Sequence, residues 1–337
     1  MTAGKRLRWG VLGTAKIFRD QIGPALKTTQ YCELAAIASR DIDRAKAAAA
    51  ASGAGKALGS YEALLADPDI DVIYNPLPNH LHAYWTIRAL EAGKPVLCEK
   101  PIALSAAQAC EIKAAQERTG YVAVEAFMVR FHPQWPRVRQ MVRDGRIGTM
   151  RSLHVFFGYN DVDPASIHND TRSGGGALYD IGCYPIMLAR FLFADDPVRA
   201  IGHFDRDPSF GTDRLTGGLV AFPQGRQLDF TCSTQLALSQ LAILYGDRGK
   251  ITMHTPINPD RGRKARIVFD DCRDLFGGGE AVEEVEYADQ FALQCDAFAR
   301  AILTGKPPDY TIDDAIKNMR VIDALFASES SQTWTRV

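Results

Sequence analysis

Val96-Leu97-Cys98-Glu99-Lys100-Pro101 is an apolar run that ends on an acid, a lysine and a proline. Val96 to Cys98 read as a short buried strand, and Pro101 stops that strand from continuing as a regular central one. Glu99 and Lys100 are therefore expected where a strand opens into a loop, the end at which open α/β sheets bind their ligands. A lysine in such a place is most often a solvated loop charge, so its meaning depends on what the rest of the chain brings to it.

Upstream, Leu7-Arg8-Trp9-Gly10-Val11-Leu12-Gly13 runs into a glycine, and Thr14 to Lys27 follows as a helix with Ile17, Phe18 and Ile22 facing inward. A dinucleotide-binding fold places Gly-x-Gly-x-x-Gly at this turn, so that backbone N–H groups and a helix N-terminus meet a pyrophosphate. Only Gly13 fits; Ala15 and Phe18 stand in the other two glycine positions. The second strand, Leu34 to Ala38, ends at Ser39-Arg40 where an acid would otherwise accept from a ribose 2′-hydroxyl. A guanidinium fork beside a hydroxyl suits a 2′-phosphate, which favours NADP. The competing reading is a helix-entry cap, with Asp41 as ribose partner and NAD as cofactor. Asp43 to Ser52 and Tyr61 to Ala66 are helices without chemistry, and Asp71 to Tyr74 is the next strand. It leads into Asn75-Pro76-Leu77-Pro78-Asn79-His80-Leu81-His82, a loop that its prolines hold rigid. Tyr84 to Ala92 is a helix that returns the chain to Val96.

Downstream, Ser105 to Arg118 is a helix in which Ser105 is the cap and Gln108 can complete a capping box. Tyr121 to Val124 is a strand ending at Glu125. Strands and helices thus alternate from residue 7 to residue 124, the pattern of a doubly wound, mainly parallel sheet. Beyond Pro133 the rhythm changes: a helix over 135–144, a strand over 149–159, then strands at 201–205, 217–222, 227–234, 240–245, 250–255 and 265–270. Gly-bearing turns such as Pro223-Gln224-Gly225-Arg226 join them, which argues for a large, mainly antiparallel sheet. Helices over 290–303 and 311–327 close the chain. The expected organisation is α/β, with a Rossmann dinucleotide-binding domain over residues 1–125 and an α+β substrate-binding and oligomerisation domain over 126–337.

A chain of 337 residues exceeds what one hydrophobic core of about 250 to 300 residues holds. Lys plus Arg (39) and Asp plus Glu (40) nearly cancel, so nothing points to a nucleic acid or an anionic membrane. No apolar run approaches the roughly 18 residues that span a bilayer. Met1 to Arg8 is basic but lacks an apolar signal core, which makes the cytoplasm the expected location. The seven cysteines show no CxxC spacing, so neither a zinc site nor a disulfide framework is expected.

One segment remains, Gly174-Gly175-Gly176-Ala177-Leu178-Tyr179-Asp180-Ile181-Gly182-Cys183-Tyr184-Pro185. If Ala177 onward is helical, Asp180 and Tyr184 share one face. A carboxylate and a phenol there can address one polyol. Tyrosine, with a reference pKa of about 10, becomes a usable acid or base when a lysine ammonium favours its phenolate. The plain alternative makes Tyr184 a packing residue and Asp180 a surface charge.

Across essentially its full length the chain resembles the glucose-fructose oxidoreductase and inositol dehydrogenase (Gfo/Idh/MocA) family. The resemblance rests on Glu99-Lys100-Pro101, the Asn75–His82 loop, Glu125 to Phe131, and Gly174 to Pro185. The form of the last segment is most similar to the branch holding NADP-dependent D-xylose dehydrogenase and dimeric dihydrodiol dehydrogenase. It implies reversible hydride transfer between NADP(H), or NAD(H), and a sugar, polyol or cyclic diol, with a D-xylose- or glucose-type aldose favoured. In these terms Lys100 orients substrate and nicotinamide, Tyr184 exchanges a proton with the reacting hydroxyl, and Asp180 holds substrate hydroxyls. Gly13, Thr14, Ala15, Lys16 and Ile17 wrap the pyrophosphate, and Ser39 and Arg40 the 2′-phosphate. Leu77, Pro78 and His82 line the adenosine-to-nicotinamide side, and Glu99, Pro101 and Arg130 the nicotinamide half. Phe127 and Arg172 are candidate substrate contacts, while no metal is implied. The resemblance further implies an open sheet in the second domain whose exposed face pairs subunits, hence a homodimer or homotetramer. Departures from the family pattern are Ala15 and Phe18 in the phosphate turn and a short segment, His168 to Ser173, before the glycines. A non-catalytic cofactor-binding sensor or regulatory protein of the same fold is the alternative; loss of Lys100 or Tyr184 would mark it, and both are present.

Overall fold

The computed structural model describes residues 4–337, so the first three residues of the basic Met1–Arg8 stretch lie outside the described residues. The chain forms two compact units. The first runs to Met128 and takes back Asp289–Ile316; the second holds Val129–Ala288 and Lys317–Val337.

In the first unit, strands β1 (Leu7–Leu12), β2 (Cys32–Ala38), β3 (Lys56–Leu58), β4 (Val72–Asn75), β5 (Val96–Glu99) and β6 (Ala123–Ala126) form a six-stranded sheet. Its order is β3-β2-β1-β4-β5-β6 and every pairing is parallel. The order reverses between β1 and β4, and the carboxyl ends of strands at such a switch point are where this fold binds ligands. β4, β5 and β6 are buried at every position, as strands covered on both faces are. β3 was not foreseen, because three half-exposed residues leave no periodic signal.

The first helical segment contains a widened π-helical turn at Phe18–Ile22 before Gly23–Leu26, and Phe18 and Ile22 are fully buried as read. Asp41 caps the helix Ile42–Ser52 through Asp43 N at 2.9 Å and Arg44 N at 3.3 Å. The next long helix spans Asn79–Glu91, starting five residues before the expected Tyr84. Pro78, read as stiffening a loop, stands where a helix opens, since its fixed φ suits that role equally well. Ser105 accepts from Gln108 N as read, whereas the Gln108 side chain reaches one residue further back, to Leu104 N at 3.0 Å.

The helix Gln290–Thr304 belongs to the first unit, a difference from the reading that assigned everything after residue 125 to the second. Phe298 meets Trp9 edge to face at 5.7 Å, and Asp296 accepts from the backbone of Gln30 and Tyr31. An amphipathic face shows that a helix covers a core but not which core, so sequence periodicity could not decide this point.

In the second unit, β7 (Met150–Asn160), β8 (Arg199–Arg206), β9 (Asp213–Ala221), β10 (Gln227–Ser233), β11 (Gln235–Gly246), β12 (Lys250–Met253), β13 (Ala265–Asp270), β14 (Glu280–Val285) and β15 (Thr335–Arg336) form a nine-stranded sheet. Its order is β14-β13-β12-β11-β7-β10-β9-β8-β15. The sheet is antiparallel except where β7 and β10 run parallel. β14 escaped notice because three of its six residues are glutamates and its apolar residues do not alternate as a strand's usually do, its sequence being EAVEEV. Against the sheet lies the helix Cys183–Phe193, whose residues are nearly all buried.

Phe298 is 3% exposed and packs on Trp9. Phe298→Ala should destabilise the first unit by about 3–5 kcal/mol, read as a lower urea midpoint at an unchanged slope.

Candidate active site

At the carboxyl ends of β1, β2 and β4, Gly13 adopts φ +84°, a conformation that favours glycine. A Cβ there would lie 3.1 Å from Leu77 Cδ2 and 3.5 Å from the Tyr61 hydroxyl, so the turn is closed on one side by these two residues. Ser39 is buried, and its hydroxyl accepts from Asp41 N at 3.2 Å. Arg40 is exposed beside Tyr61: burial pushes the Tyr61 phenol upward, and the Arg40 guanidinium opposes that shift by charge and hydrogen bond. Arg44, also exposed, donates to Thr14 Oγ1 at 3.3 Å. Sequence reasoning missed Arg44 and Tyr61. Arg44 was legible in principle, because it lies one helical turn after Arg40 on the element that follows the phosphate-reading position. Asp41, the alternative ribose partner, is engaged as a helix cap.

The carboxyl ends of β4, β5 and β6 are tied together by buried polar groups. Asn75 donates to His82 O at 3.2 Å and Thr86 Oγ1 at 3.1 Å, and its Oδ1 accepts from Leu77 N. The His82 ring nitrogens lie 2.7 Å from Pro101 O and 2.6 Å from Leu77 O. Burial pulls the imidazole down to about 4 against the opposing pull of the two carbonyls, and the neutral ring donates from one nitrogen to one of them at a time. His82 is therefore a brace between the two loops. Tyr74 donates to Glu99 Oε1 at 2.7 Å, its phenol pushed well up by burial and then by the Glu99 charge. Glu125 Oε1 accepts from Ile102 N at 2.8 Å. Lys100, half-buried, stands between these anchored neighbours, and the Lys100–Pro101 peptide is cis.

In the second unit, the segment read as helical from Ala177 begins with a π-helical turn, Leu178–Gly182, which passes into the helix Cys183–Phe193. Asp180 is no surface charge: it is 8% exposed, and Tyr159 of β7 donates to its Oδ2 at 2.6 Å. His168 Nδ1 lies 3.6 Å from its Oδ1. Tyr184 is buried, with its ring against Phe157 at 6.2 Å. The glycine run makes this packing feasible. At Gly176, with φ +117°, a Cβ would lie 1.9 Å from Asp213 Oδ1, and Gly182 packs on Cys232 Sγ. Asp213 Oδ2 accepts from Leu178 N at 2.8 Å and from the Thr216 hydroxyl at 2.6 Å, holding the start of the helix that carries Asp180 and Tyr184. On the Tyr179 side of this helix, Tyr179, Arg206, Asp213 and Phe326 line a cavity of about 430 Å³.

Residues 7–127 match an oxidoreductase family with an NAD-binding Rossmann fold, and residues 135–252 match the C-terminal domain of the same family. The chain belongs to the Gfo/Idh/MocA family. An uncharacterized oxidoreductase, ORF334, of Rhizobium meliloti is 43% identical over 98% of this chain and 99% of its own length. A D-xylose 1-dehydrogenase (NADP(+)) 2 of Haloferax volcanii is 34% identical over 98% of this chain and 99% of that one. A 3-ketoreductase from Actinomadura kijaniata, solved with NADP and TDP-benzene, superposes with a TM-score of 0.90 at 31% identity, covering 96% of this chain and 98% of that one.

As a Gfo/Idh/MocA member the protein is an NAD(P)-dependent oxidoreductase. The residues expected to carry its chemistry are divided between the units, with Lys100 in the first and Asp180 and Tyr184 in the second. Phe127 and Arg130 are buried on either side of the division. Arg172 is not gathered with Asp180 and Tyr184: its side chain is 90% exposed and pairs with Asp170 at 3.1 Å. Tyr159, His168 and Asp213 were not anticipated. Tyr159 had a signal, standing two residues after Phe157 on an alternating strand and so on the same face.

Asp213 permits a test of how the helix start is held. Burial raises its carboxyl to about 6, against the opposing hydrogen bonds of Thr216 and Leu178. The folded state therefore binds the proton more tightly than the unfolded state, and stability is lost as pH rises from about 4 to about 6. Asp213→Asn removes that titration. In chemical denaturation, wild type should lose on the order of 3 kcal/mol relative to Asp213→Asn between pH 4 and pH 7.

Proposed function

We propose that the protein transfers hydride reversibly between NADP(H) and a carbinol carbon of a sugar, polyol or cyclic diol, with a D-xylose- or glucose-type aldose as the favoured substrate. The observation that carries the reading is the shared helix face of Asp180 and Tyr184, both buried and both supported by β7. The 34% identity with a D-xylose 1-dehydrogenase (NADP(+)) over nearly the whole chain supports the substrate class and the cofactor. The first unit suits NADP. The positive-φ glycine turn permits close backbone approach, and Arg40 and Arg44 offer two exposed guanidiniums where β2 ends. Asp41, the alternative ribose partner, spends one carboxylate oxygen, Oδ1, on capping its own helix.

The bound nicotinamide supplies the hydride acceptor or donor at C4. Tyr184 takes the proton of the reacting hydroxyl in oxidation and returns it in reduction, so the substrate carbon loses a hydride and its oxygen loses a proton. Lys100 supplies the positive charge that lowers the cost of the phenolate and orients the reacting oxygen. Asp180 accepts a hydrogen bond from a neighbouring substrate hydroxyl. Gly13 to Ile17 cradle the pyrophosphate, while Ser39 and Arg40, joined by Arg44, hold the 2′-phosphate. Leu77 closes the phosphate turn from the β4 side, and Pro101 and Glu99 fix the loop from which Lys100 projects.

Tyr184→Phe should lower turnover of a responsive aldose by about 10²- to 10⁴-fold, with NADPH affinity by fluorescence titration unchanged. Unaltered turnover would remove Tyr184 from the mechanism. A panel of aldoses and diols, assayed with NADP and NAD by absorbance of the reduced nicotinamide, tests the substrate class. In the same assay Arg40→Ala with Arg44→Ala should weaken NADP at least tenfold, on the order of one charge-assisted hydrogen bond, and leave NAD nearly untouched. A wild type that prefers NAD strongly would refute the 2′-phosphate assignment.

A further inference from the structure

Asp180 is held by one hydrogen bond and approached from a second side by an imidazole, groups to which hydride transfer gives no part. The phenolic O–H of Tyr159 donates to Oδ2 at 2.6 Å, and His168 Nδ1 stands 3.6 Å from Oδ1. The Tyr159 and His168 rings meet edge to face, 6.3 Å between centroids. Burial, and then the charge of Asp180, push the Tyr159 phenol far up, so it keeps its proton and acts toward the carboxylate as a donor.

The surrounding backbone is shaped to bring both rings there. Two residues along a strand advance about 6.6 Å, and four along a helical segment that starts in a π-helical turn advance somewhat less than the roughly 6 Å of a regular α-helix, a comparable step. Phe157 and Tyr159 on β7 thus match Tyr184 and Asp180 on the helix, one pair in ring contact and the other hydrogen-bonded. On the opposite side, a Cβ at Gly175 would lie 2.5 Å from the His168 carbonyl oxygen, and Gly176 N donates to that same oxygen at 2.9 Å. A side chain at position 175 would drive the His168 turn away. The turn is also tied at its base, where Asn169 Nδ2 donates to the carbonyls of Asp161 and Asp163.

We infer that Tyr159 and His168 are positioning residues that fix the Asp180 carboxylate one helical step from Tyr184, and thereby select substrates with a second hydroxyl beside the reacting carbinol. The inference rests on the assignment of Tyr184 as the proton-exchanging group. A carboxylate held by a permanent donor is an acceptor only. A vicinal hydroxyl donates to it, whereas a deoxy, keto or ether position offers it no such hydrogen bond. Sites built around a substrate hydroxyl reject analogues lacking it for this reason.

The test compares D-glucose with 2-deoxy-D-glucose on the full-length protein. One arm measures kcat and KM with NADP; the other measures sugar binding calorimetrically to the NADPH-loaded protein, which cannot oxidise the sugar. Wild type should favour D-glucose by about tenfold or more in both arms. Tyr159→Phe removes one oxygen and should raise KM for D-glucose about tenfold, with kcat within about twofold and the preference between the sugars approaching unity. His168→Asn, which retains a donor near the Nδ1 position, should keep more of the preference than His168→Ala. Melting temperatures and NADPH affinities near wild type show that the variants fold.

A wild type that does not distinguish the sugars overturns the inference, as does a Tyr159→Phe variant that keeps the full preference or weakens both sugars equally. Failure of the hydride-transfer reading would look different: no sugar turnover by wild type with NADP, although NADPH binds, while the calorimetric arm still reports whether Tyr159 governs the vicinal hydroxyl.

Discussion

Parallel strands that end inside a protein leave backbone polar groups and loop entries out of reach of water, and each must find a partner. The carboxyl ends of β4, β5 and β6 meet this requirement with their own terminal residues. Asn75 closes its loop onto the following helix, Glu99 accepts from Tyr74, and Glu125 accepts from the backbone just past Pro101. His82 joins the loops after β4 and β5 through two carbonyls. Lys100 projects from a loop whose neighbours are all engaged. Its position is set by buried hydrogen bonds and depends little on the propensity of the loop itself.

The second unit solves a different problem, that of seating a helix on a sheet closely enough for chosen side chains to meet. Three glycines do most of this. Gly176 admits Asp213 to the start of the helix, Gly182 admits Cys232 of β10, and Gly175 admits the backbone of His168. With those approaches open, the advance of strand and helix per pair of side chains is comparable, and β7 supports Tyr184 and Asp180 in turn. Asp180, for which a surface charge was the plain alternative, is instead a buried carboxylate.

Much of this was legible in the residues, unevenly. Alternation of apolar runs with amphipathic helices foretold the parallel sheet, because burial on both faces leaves a periodic trace. The positions of Lys100, Asp180 and Tyr184 on their elements followed from a proline after a strand and from helical spacing. Tertiary partners were not legible. No spacing rule connects Asp213 with Gly176, Tyr159 with Asp180, or the helix at 290–304 with Trp9, since each pair meets only after the sheet order is set. Short or strongly charged strands, β3 and β14, were also invisible, as the alternation that marks a strand needs length and apolar residues to register. Arg172, a candidate contact from its place beside the glycine run, pairs with its own neighbour Asp170, and no spacing rule foretold that partner either.

Each unit carries a π-helical turn, Phe18–Ile22 after the Gly13 turn and Leu178–Gly182 around Asp180. Such a turn closes its hydrogen bonds over five residues instead of four, so it stores one residue beyond what a regular helix needs. The number of residues between Asp180 and Tyr184 is thus a phase setting. A widened turn spaces its residues roughly 80° apart around the axis instead of about 100°, so excising one residue and relaxing to regular α geometry would shift Asp180 by roughly 30° relative to Tyr184. Chain length in this stretch encodes direction, and a deletion that is harmless to helicity would leave the carboxylate out of phase with the phenol.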